Sequence, residues 1–256
     1  MAALNLLVRG VGIRYRSHST DERKGMRRTM EADRYREIAE AALQLLVTRC
    51  PRLASTCYWA GTASIALEEL HHRQSFDLDF HTRKALYNVR PILAEVLAAF
   101  PGAFEVVRAP DEFGSGFQGV LTLPDGERTT VEVLSNYEDV PDRDLVKATT
   151  VTAVKRVSLS RYLADKVQCL VERAEAKDLV DIMAVLQHRP DMEKDARRRL
   201  AEQDAVLLVE RLLAWTDEAI REDLAAYDDV APEVAVAARD LLLHWVKTAA
   251  AEGGDT

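Results

Sequence analysis

Two aspartates, Asp77 and Asp79, stand two positions apart in a segment where apolar and polar residues alternate. Phe76, Leu78 and Phe80 take the apolar positions, and this period of two is typical of a half-buried strand. Side chains two apart on a strand point to one face, about 6.5–7 Å from each other along the chain. Two neighbouring carboxylates suit a hard divalent cation, Mg²⁺ or Mn²⁺, which takes one or two carboxylates together with phosphate oxygens. The pattern predicts an open metal site on this strand.

Upstream of the acids, Gly61 and Thr62 stand where a short apolar strand passes into a predicted helix. A helix N-terminus carries free N–H groups and a positive dipole, and both favour a bound phosphate. Glycine lets a ligand approach the backbone, and the hydroxyl of Thr62 can cap the helix or contact the phosphate. The intervening helix can bring this turn beside the acidic strand, so that phosphate and metal share one site. Taken separately, each feature also has an ordinary structural explanation. The two acids can belong to a solvated strand, and the Gly-Thr turn can be a simple helix cap.

In this order, and separated by one helix, the two segments resemble the first motif of the AbiEii/AbiGii nucleotidyltransferase toxin family. In that family a Gly-Gly or Gly-Ser turn precedes an Asp-x-Asp strand. The resemblance runs through Gly61-Thr62-Ala63, His72-Arg73 and Ser75-x-Asp77-Leu78-Asp79-Phe80, within roughly residues 35–190, and Ala60 replaces the first glycine of the family pattern. It implies that Asp77 and Asp79 are catalytic metal ligands. The nucleotide-binding residues that it implies are Gly61, Thr62 and Arg73.

A second group of charged residues lies on predicted helices. In the helix predicted over 159–174, Lys166 lies about 60° from the centre of the apolar stripe, at its edge. A lysine at this position faces a neighbouring group instead of open water. Either its stem lies along apolar surface while the ammonium reaches water, or the ammonium binds a triphosphate. On the next helix, Lys177 and Asp181 have the i,i+4 spacing of an ordinary surface ion pair, whereas Asp178 flanks the apolar stripe.

These helices resemble a later motif of the same family, in which a lysine is followed by a Lys-Asp pair on the next helix. The resemblance covers Leu163-Ala-Asp-Lys166 and Lys177-Asp178-Leu-Val-Asp181. It implies that Lys166 and Asp178 are catalytic residues. It also implies that the nucleotide is bound by Lys166, Lys177 and Asp181.

Glu132 is a candidate third carboxylate. It lies in Thr130-Val-Glu-Val-Leu134, a predicted strand whose valines can be buried while Glu132 faces the other way. Polymerase-like nucleotidyltransferases, the wider class that the resemblance indicates, often add such an acid from a later strand. We therefore expect Glu132 to join Asp77 and Asp79 as a metal ligand.

Composition and charge narrow the class of protein. With 256 residues and 48% hydrophobic content, the chain can bury one large core or two small ones. A net charge of -8 argues against general coating of nucleic acid, which needs a dense basic face. The three cysteines lack CxxC spacing, so we expect neither disulfides nor a zinc knuckle and infer a reducing, cytoplasmic setting. The apolar runs are too short for a signal peptide or a membrane span, so we expect a soluble protein.

The order of elements predicts an α/β (α+β) architecture in three parts. Residues 1–30 carry seven basic and two acidic side chains and form either a flexible tail or sequence before a start at Met26 or Met30. We expect residues 31–150 to form the nucleotidyltransferase-like core, a small mixed sheet flanked by helices, and 151–256 to form an all-helical C-terminal domain. Helices are predicted over 33–49, 63–70, 89–100, 159–174, 177–187, 192–226 in two pieces and 232–250, and strands over 56–59, 76–81, 104–108, 117–123 and 128–134.

The resemblance implies a metal-dependent toxin that transfers a nucleoside monophosphate from an NTP to a hydroxyl acceptor. In some members this acceptor is the 3′ end of tRNA, and a cognate antitoxin is a frequent partner. Eight basic residues are candidates for a rim that would bind an RNA acceptor: Arg52, Arg73, Arg83, Lys84, Arg90, Lys155, Arg156 and Arg161. Two alternatives stay open, an antibiotic-type nucleotidyltransferase with a small-molecule acceptor and a non-catalytic binding or regulatory module. The non-catalytic alternative stays open because Ala60 replaces the first glycine of the family pattern and because acidic residues outnumber basic ones.

Overall fold

The computed structural model describes residues 21–75, 77–173, 175–227 and 229–253. Its contacts divide the chain into two compact units, one formed by Thr29–Tyr162 and the other including Leu163 onward. Residues 1–20 of the predicted basic tail lie outside the described residues, so this part of the tail stays a prediction. None of the described helices has both the length and the apolar character needed to cross a membrane.

The first unit combines helices with a sheet. The helices in this part of the chain are α1 (Asp21–Arg49, which begins before the unit), α2 (Pro51–Thr56), α3 (Gly61–Ile65), which continues as a π-helical turn (Ala66–Leu70), and α4 (Arg90–Ala99), with a 3₁₀ turn at Asp142–Asp144. The strands are β1 (Cys57–Ala60), β2 (Asp77–Ala85), β3 (Phe104–Arg108), β4 (Gly116–Thr122), β5 (Arg128–Asn136), β6 (Leu145–Lys147) and β7 (Lys155–Val157).

The seven strands form one mixed sheet in the order β3-β4-β5-β2-β1-β7-β6. The central strand, β2, is antiparallel to β1 and parallel to β5. Strands β4 and β5 form an antiparallel hairpin whose connection contains Gly126 at a φ of +92°, a value that glycine adopts without strain. A mixed sheet with helices confirms the predicted α/β class.

One face of the sheet is apolar and buries the main core. Leu78 and Phe80 of β2 are fully buried there, together with Trp59 of β1 and with Val131 and Val133 of β5. Helices α1, α2 and α4 cover this face with Leu43, Leu46, Leu53, Ile92 and Val96. Each such side chain contributes about 1.5–3 kcal/mol by leaving water, so the face that β2 presents to the core is strongly fixed. The alternate residues of β2 must then lie on the opposite face.

The second unit is helical. Its elements are α5 (Leu159–Glu172, which begins before the unit), α6 (Ala176–His188), a 3₁₀ turn (Pro190–Met192), α7 (Glu193–Ala201), α8 (Ala205–Ala214), α9 (Asp217–Asp223), a 3₁₀ turn (Leu224–Ala226) and α10 (Pro232–Gly253). Helix α10 contacts α6 and α8. On α6, the predicted apolar stripe of Leu179, Ile182, Met183 and Leu186 is buried.

Several elements differ from the prediction made from the sequence. Helix α1 begins at Asp21 rather than near residue 33, because the preceding charged segment is rich in good helix formers and lacks proline. Helix α2 and strands β6 and β7 were not predicted, since elements of three to six residues are too short to show a period. The 192–226 segment forms three helices rather than two, because Asp204 and Thr216 each cap a new helix N-terminus.

Candidate active site

The two aspartates of β2 lie on the face of the sheet opposite the apolar core. Asp77 is exposed and Asp79 is partly buried, whereas the alternating residues Leu78 and Phe80 are fully buried. The predicted alternation is confirmed. Since both carboxylates leave the strand on the same side, they can offer oxygen ligands to one cation.

The backbone at Gly61 lies against the carboxylate of Asp79. Ala60 is paired with Asp79 across β1 and β2, so the chain leaves β1 and starts α3 beside that acid. Gly61 has a φ of +67°, and a Cβ placed on it would overlap the Asp79 carboxylate. Glycine satisfies both conditions, because it adopts positive φ without strain and carries no side chain. The glycine turn and the acidic strand therefore meet, as the sequence predicted.

Two donors hold the hydroxyl of Thr62. Arg73 Nη2 donates to Thr62 Oγ1 at 3.0 Å, and the Tyr162 hydroxyl donates to the same oxygen at 3.1 Å. All three residues are buried. One predicted role, a cap on the helix, is wrong, because Ala60 occupies the cap position and Thr62 lies within the first turn. The hydroxyl instead ties the first turn of α3 to Arg73 and Tyr162.

A tyrosine of α1 lies in the neighbourhood of the acid pair. Burial raises the pKa of the Tyr35 phenol well above its ordinary value, and the negative charges of Asp77 and Asp79 raise it further. The positive charge of Arg73 acts on the same phenol and lowers its pKa. Tyr35 therefore stays protonated at neutral pH and carries an O–H donor. The charges of the two acids and of the guanidinium therefore act on the same phenol.

Glu132 lies on β5 directly beside Asp79, because the two residues are paired in the parallel ladder of β2 and β5. Its carboxylate binds Arg108, with Oε1 2.6 Å from Nη2. Within the described part of the chain, no three acidic, histidine or cysteine side chains are grouped closely enough to hold a metal by themselves. The paired aspartates instead fit a magnesium site that substrate oxygens and water complete.

Lys166 lies in a buried cluster of charges within the second unit. Its Nζ is 2.8 Å from an oxygen of Asp178 and 2.8 Å from an oxygen of Asp181, and both acids are fully buried. Arg173 binds Asp178 through two nitrogens, Nε at 3.0 Å and Nη2 at 2.9 Å. Two cations and two anions therefore offset each other in this cluster, and three of its members are residues that the resemblance singled out.

The surface ion pair that the i,i+4 spacing of Lys177 and Asp181 suggests does not form. Asp181 is fully buried and pairs with Lys166, while Lys177 is partly exposed and its Nζ lies 3.1 Å from Glu175 Oε2. Asp178 and Asp181 are three residues apart, so they face the same side of α6 and meet the same lysine. Spacing within one helix could not reveal this, because a buried carboxylate depends on partners supplied by another element.

Two residues with functional contacts, Tyr162 and Arg173, were not predicted from the sequence. Tyr162 belongs to the buried side of α5, where an aromatic residue usually indicates packing alone. Arg173 follows the end of that helix and precedes Asp178 by five residues, which is not a helical pair spacing. The available signal was general: a buried phenol or carboxylate needs a hydrogen-bond partner somewhere.

The predicted basic rim is largely engaged in local contacts. Arg73 and Arg156 are buried, and Arg156 binds Glu68 and Glu69. Four other members pair with nearby acids: Arg83 and Lys155 with Asp142, Lys84 with Asp139, and Arg161 with Asp144. Their charges are offset locally, which reduces the attraction that they exert on RNA phosphates.

Most of the chain matches a known protein family. A family profile described as nucleotidyl transferase AbiEii toxin, type IV TA system, matches residues 49–244. This stretch contains the acidic strand, the glycine turn and the buried charge cluster. No curated protein is significantly similar to the chain in sequence.

Solved structures share the fold. JHP933 from Helicobacter pylori is 20% identical with a TM-score of 0.51, and the match covers 82% of this chain and 93% of that chain. The nucleotidyltransferase toxin MenT4 from Mycobacterium tuberculosis is 17% identical with a TM-score of 0.50, covering 83% of this chain and 84% of that chain. At such identities the likeness concerns the fold alone, and it confirms the predicted nucleotidyltransferase-like architecture.

Proposed function

Because the chain belongs to the AbiEii nucleotidyltransferase toxin family of type IV toxin–antitoxin systems, we propose that its reaction takes place beside the acid pair and the Gly61 turn. In this reaction a hydroxyl oxygen of the acceptor attacks the α-phosphorus of an NTP. The bond from that phosphorus to the oxygen bridging the β-phosphate breaks, so pyrophosphate leaves and a nucleoside monophosphate stays on the acceptor. The observation that carries the proposal is the packing of the Gly61 backbone against the Asp79 carboxylate.

Asp77 and Asp79 are the proposed ligands of a divalent cation, Mg²⁺ or Mn²⁺. Two carboxylates on one open face suit such an ion, since they leave positions for water and phosphate oxygens. When bound, the cation supplies positive charge that offsets the charge of the triphosphate. Glu132 is the proposed third carboxylate, and it must exchange its contact with Arg108 to act as a ligand. While it remains beside Asp79, it is also a candidate acceptor for the proton of the attacking hydroxyl.

Gly61, Thr62 and Arg73 are proposed to bind the triphosphate. The N–H groups of a first helical turn have no partner within the helix, so they suit a phosphate oxygen that the bare Gly61 backbone admits. Arg73 adds a buried positive charge, and a nearby anion offsets the cost of burying it. The protonated phenol of Tyr35 is a further donor beside the acids.

For the second unit, the proposal rests on the family resemblance. Lys166 is proposed to offset the charge on the leaving pyrophosphate, with Asp178 as a second catalytic residue. Lys177 and Asp181 are the remaining proposed nucleotide-binding residues. Two carboxylates hold the ammonium of Lys166 in one position, which supports a role that depends on precise placement.

An RNA 3′ hydroxyl, first of all that of tRNA, is the proposed acceptor, and the family supports a cognate antitoxin and a cytoplasmic setting. A second candidate is a small hydroxylated molecule such as an aminoglycoside. The local pairing of the rim residues and the net charge of -8 favour this second candidate.

The test incubates the protein with each labelled NTP, Mg²⁺ and one acceptor at a time: total RNA, purified tRNA or aminoglycosides. We expect label to move to RNA with the wild-type chain and not with Asp79→Asn. Glu105→Gln, which removes an exposed acid on β3, serves as the matched control and should retain full transfer. Transfer to aminoglycosides alone would replace the RNA proposal with the small-molecule one. Equal transfer by wild type and Asp79→Asn would contradict the assignment of the site.

A further inference from the structure

Tyr162 makes a buried contact that the reaction proposed above does not use. The residue is 1% exposed, and its hydroxyl donates to Thr62 Oγ1 at 3.1 Å across a separation of 100 residues. Arg73 donates to the same oxygen at 3.0 Å. Tyr162 thereby reaches the residue that follows Gly61, at the turn that lies against Asp79.

The chemistry of a hydroxyl makes this arrangement restrictive. A threonine oxygen has two acceptor sites and one donor proton. Arg73 and Tyr162 occupy both acceptor sites of Thr62, so the side chain cannot rotate without losing buried hydrogen bonds. Since Thr62 lies in the first turn of α3, fixing its side chain also fixes the backbone N–H groups of that turn.

We propose that Tyr162 is a positioning residue for nucleotide binding: through Thr62, it holds the Gly61 turn in place beside the Asp79 carboxylate. This inference rests on the proposed function, because it assumes that the turn binds the triphosphate. Tyr162 itself does not touch the substrate in this account.

Tyr162→Phe is the variant that isolates this contact, because it keeps the ring and removes only the O–H. We expect the Kd of the cognate NTP, measured calorimetrically with Mg²⁺ and without acceptor, to rise about three- to tenfold, the effect of one buried hydrogen bond. Transfer at saturating NTP should fall less than transfer at low NTP, because the turn is ordered once the nucleotide is bound. A purely structural role would lower the folded fraction and leave the Kd of the folded protein unchanged.

A double-mutant cycle separates positioning from packing. Thr62→Val removes the hydroxyl that Tyr162 binds, so adding Tyr162→Phe to Thr62→Val should raise the Kd little further. Tyr58→Phe is the matched control, since Tyr58 is fully buried and its hydroxyl accepts a hydrogen bond from Asn136. This control should lower the unfolding temperature comparably to Tyr162→Phe while leaving the Kd unchanged.

The outcomes distinguish the two proposals. If the wild type binds an NTP and Tyr162→Phe binds it equally well, the positioning role is overturned while the proposed function stands. Full additivity of Thr62→Val and Tyr162→Phe overturns it as well. If the wild type binds none of the four NTPs with Mg²⁺, the proposed function fails and this inference fails with it.

Discussion

The acidic strand and the buried charge cluster use similar residues under opposite physical conditions. Asp77 is exposed and Asp79 partly buried on an open face of the sheet, whereas Asp178 and Asp181 are fully buried with Lys166 between them. The buried carboxylates are held by cations of the protein itself. The strand carboxylates retain access to solvent and therefore to an incoming cation. The comparison indicates that the strand carboxylates can accept ligands, whereas the buried carboxylates hold a lysine in one position.

The largest effect on stability is expected at the cluster. Lys166→Met removes the cation that binds both acids and leaves Asp181 buried without its charge partner, so we expect unfolding to become easier by about 3–5 kcal/mol. Urea unfolding measures this change. Lys177→Met, which removes a partly exposed lysine paired with Glu175, should cost less than about 1 kcal/mol. Similar losses in the two variants would remove the distinction between the two regions.

A smaller effect is expected at the glycine turn. Gly61→Ala forces a positive φ on alanine and places a Cβ in the Asp79 carboxylate, so we expect a loss of about 2–3 kcal/mol in unfolding free energy. Gly102→Ala is the matched control, because Gly102 has a φ of +73° and open space around it. It should cost only about 1 kcal/mol and leave nucleotide transfer intact. Equal costs would mean that the contact with Asp79 contributes nothing.

His81, further along β2, makes the stability of the protein depend on pH. Burial and the neighbouring Arg161 lower the pKa of its imidazole to about 4. The unfolded chain binds this proton from about pH 6.5 downward, so stability is complete above that value and falls as the pH drops toward 4. We expect this group to account for about 1–2 kcal/mol of that fall, because the side chain is not fully shielded from water.

Unfolding of His81→Asn at several pH values tests this origin. The variant should show a shallower loss of stability between pH 6.5 and 4 than the wild type. His188→Asn, which changes an exposed histidine at the end of α6, should keep the wild-type slope. A wild-type slope in His81→Asn would place the titrating group elsewhere.

The smallest effect on stability is expected where the effect on activity is greatest. Asp79→Asn keeps the shape of the side chain on an open face, so the unfolding free energy should change by no more than about 0.5 kcal/mol. Nucleotide transfer should nevertheless fall about 10²–10³-fold, because a charge aimed at the reacting groups is lost. Thermal unfolding and initial rates on one protein preparation measure both quantities. A large loss of stability would make Asp79 a structural residue like Asp181.

Local patterns in the sequence predicted the acidic strand and the glycine turn, since alternation and glycine chemistry are properties of neighbouring residues. They also predicted the apolar stripe of α6 and the boundaries of α4 and β3 closely. They did not predict that Asp181 pairs with Lys166 or that Tyr162 binds Thr62, because both contacts join different elements. A helix spacing of four residues suggested a surface pair for Asp181, and burial overrode it.

Calorimetric titration with each NTP in the presence of Mg²⁺ shows whether the acid pair and the glycine turn bind a metal and a nucleotide together. We expect the wild-type chain to bind at least one NTP, EDTA to remove most of this affinity, and Asp79→Asn to weaken it at least about tenfold. Binding that is equally tight in Asp79→Asn, or that persists unchanged with EDTA, would contradict a metal and nucleotide site formed by the acid pair and the glycine turn.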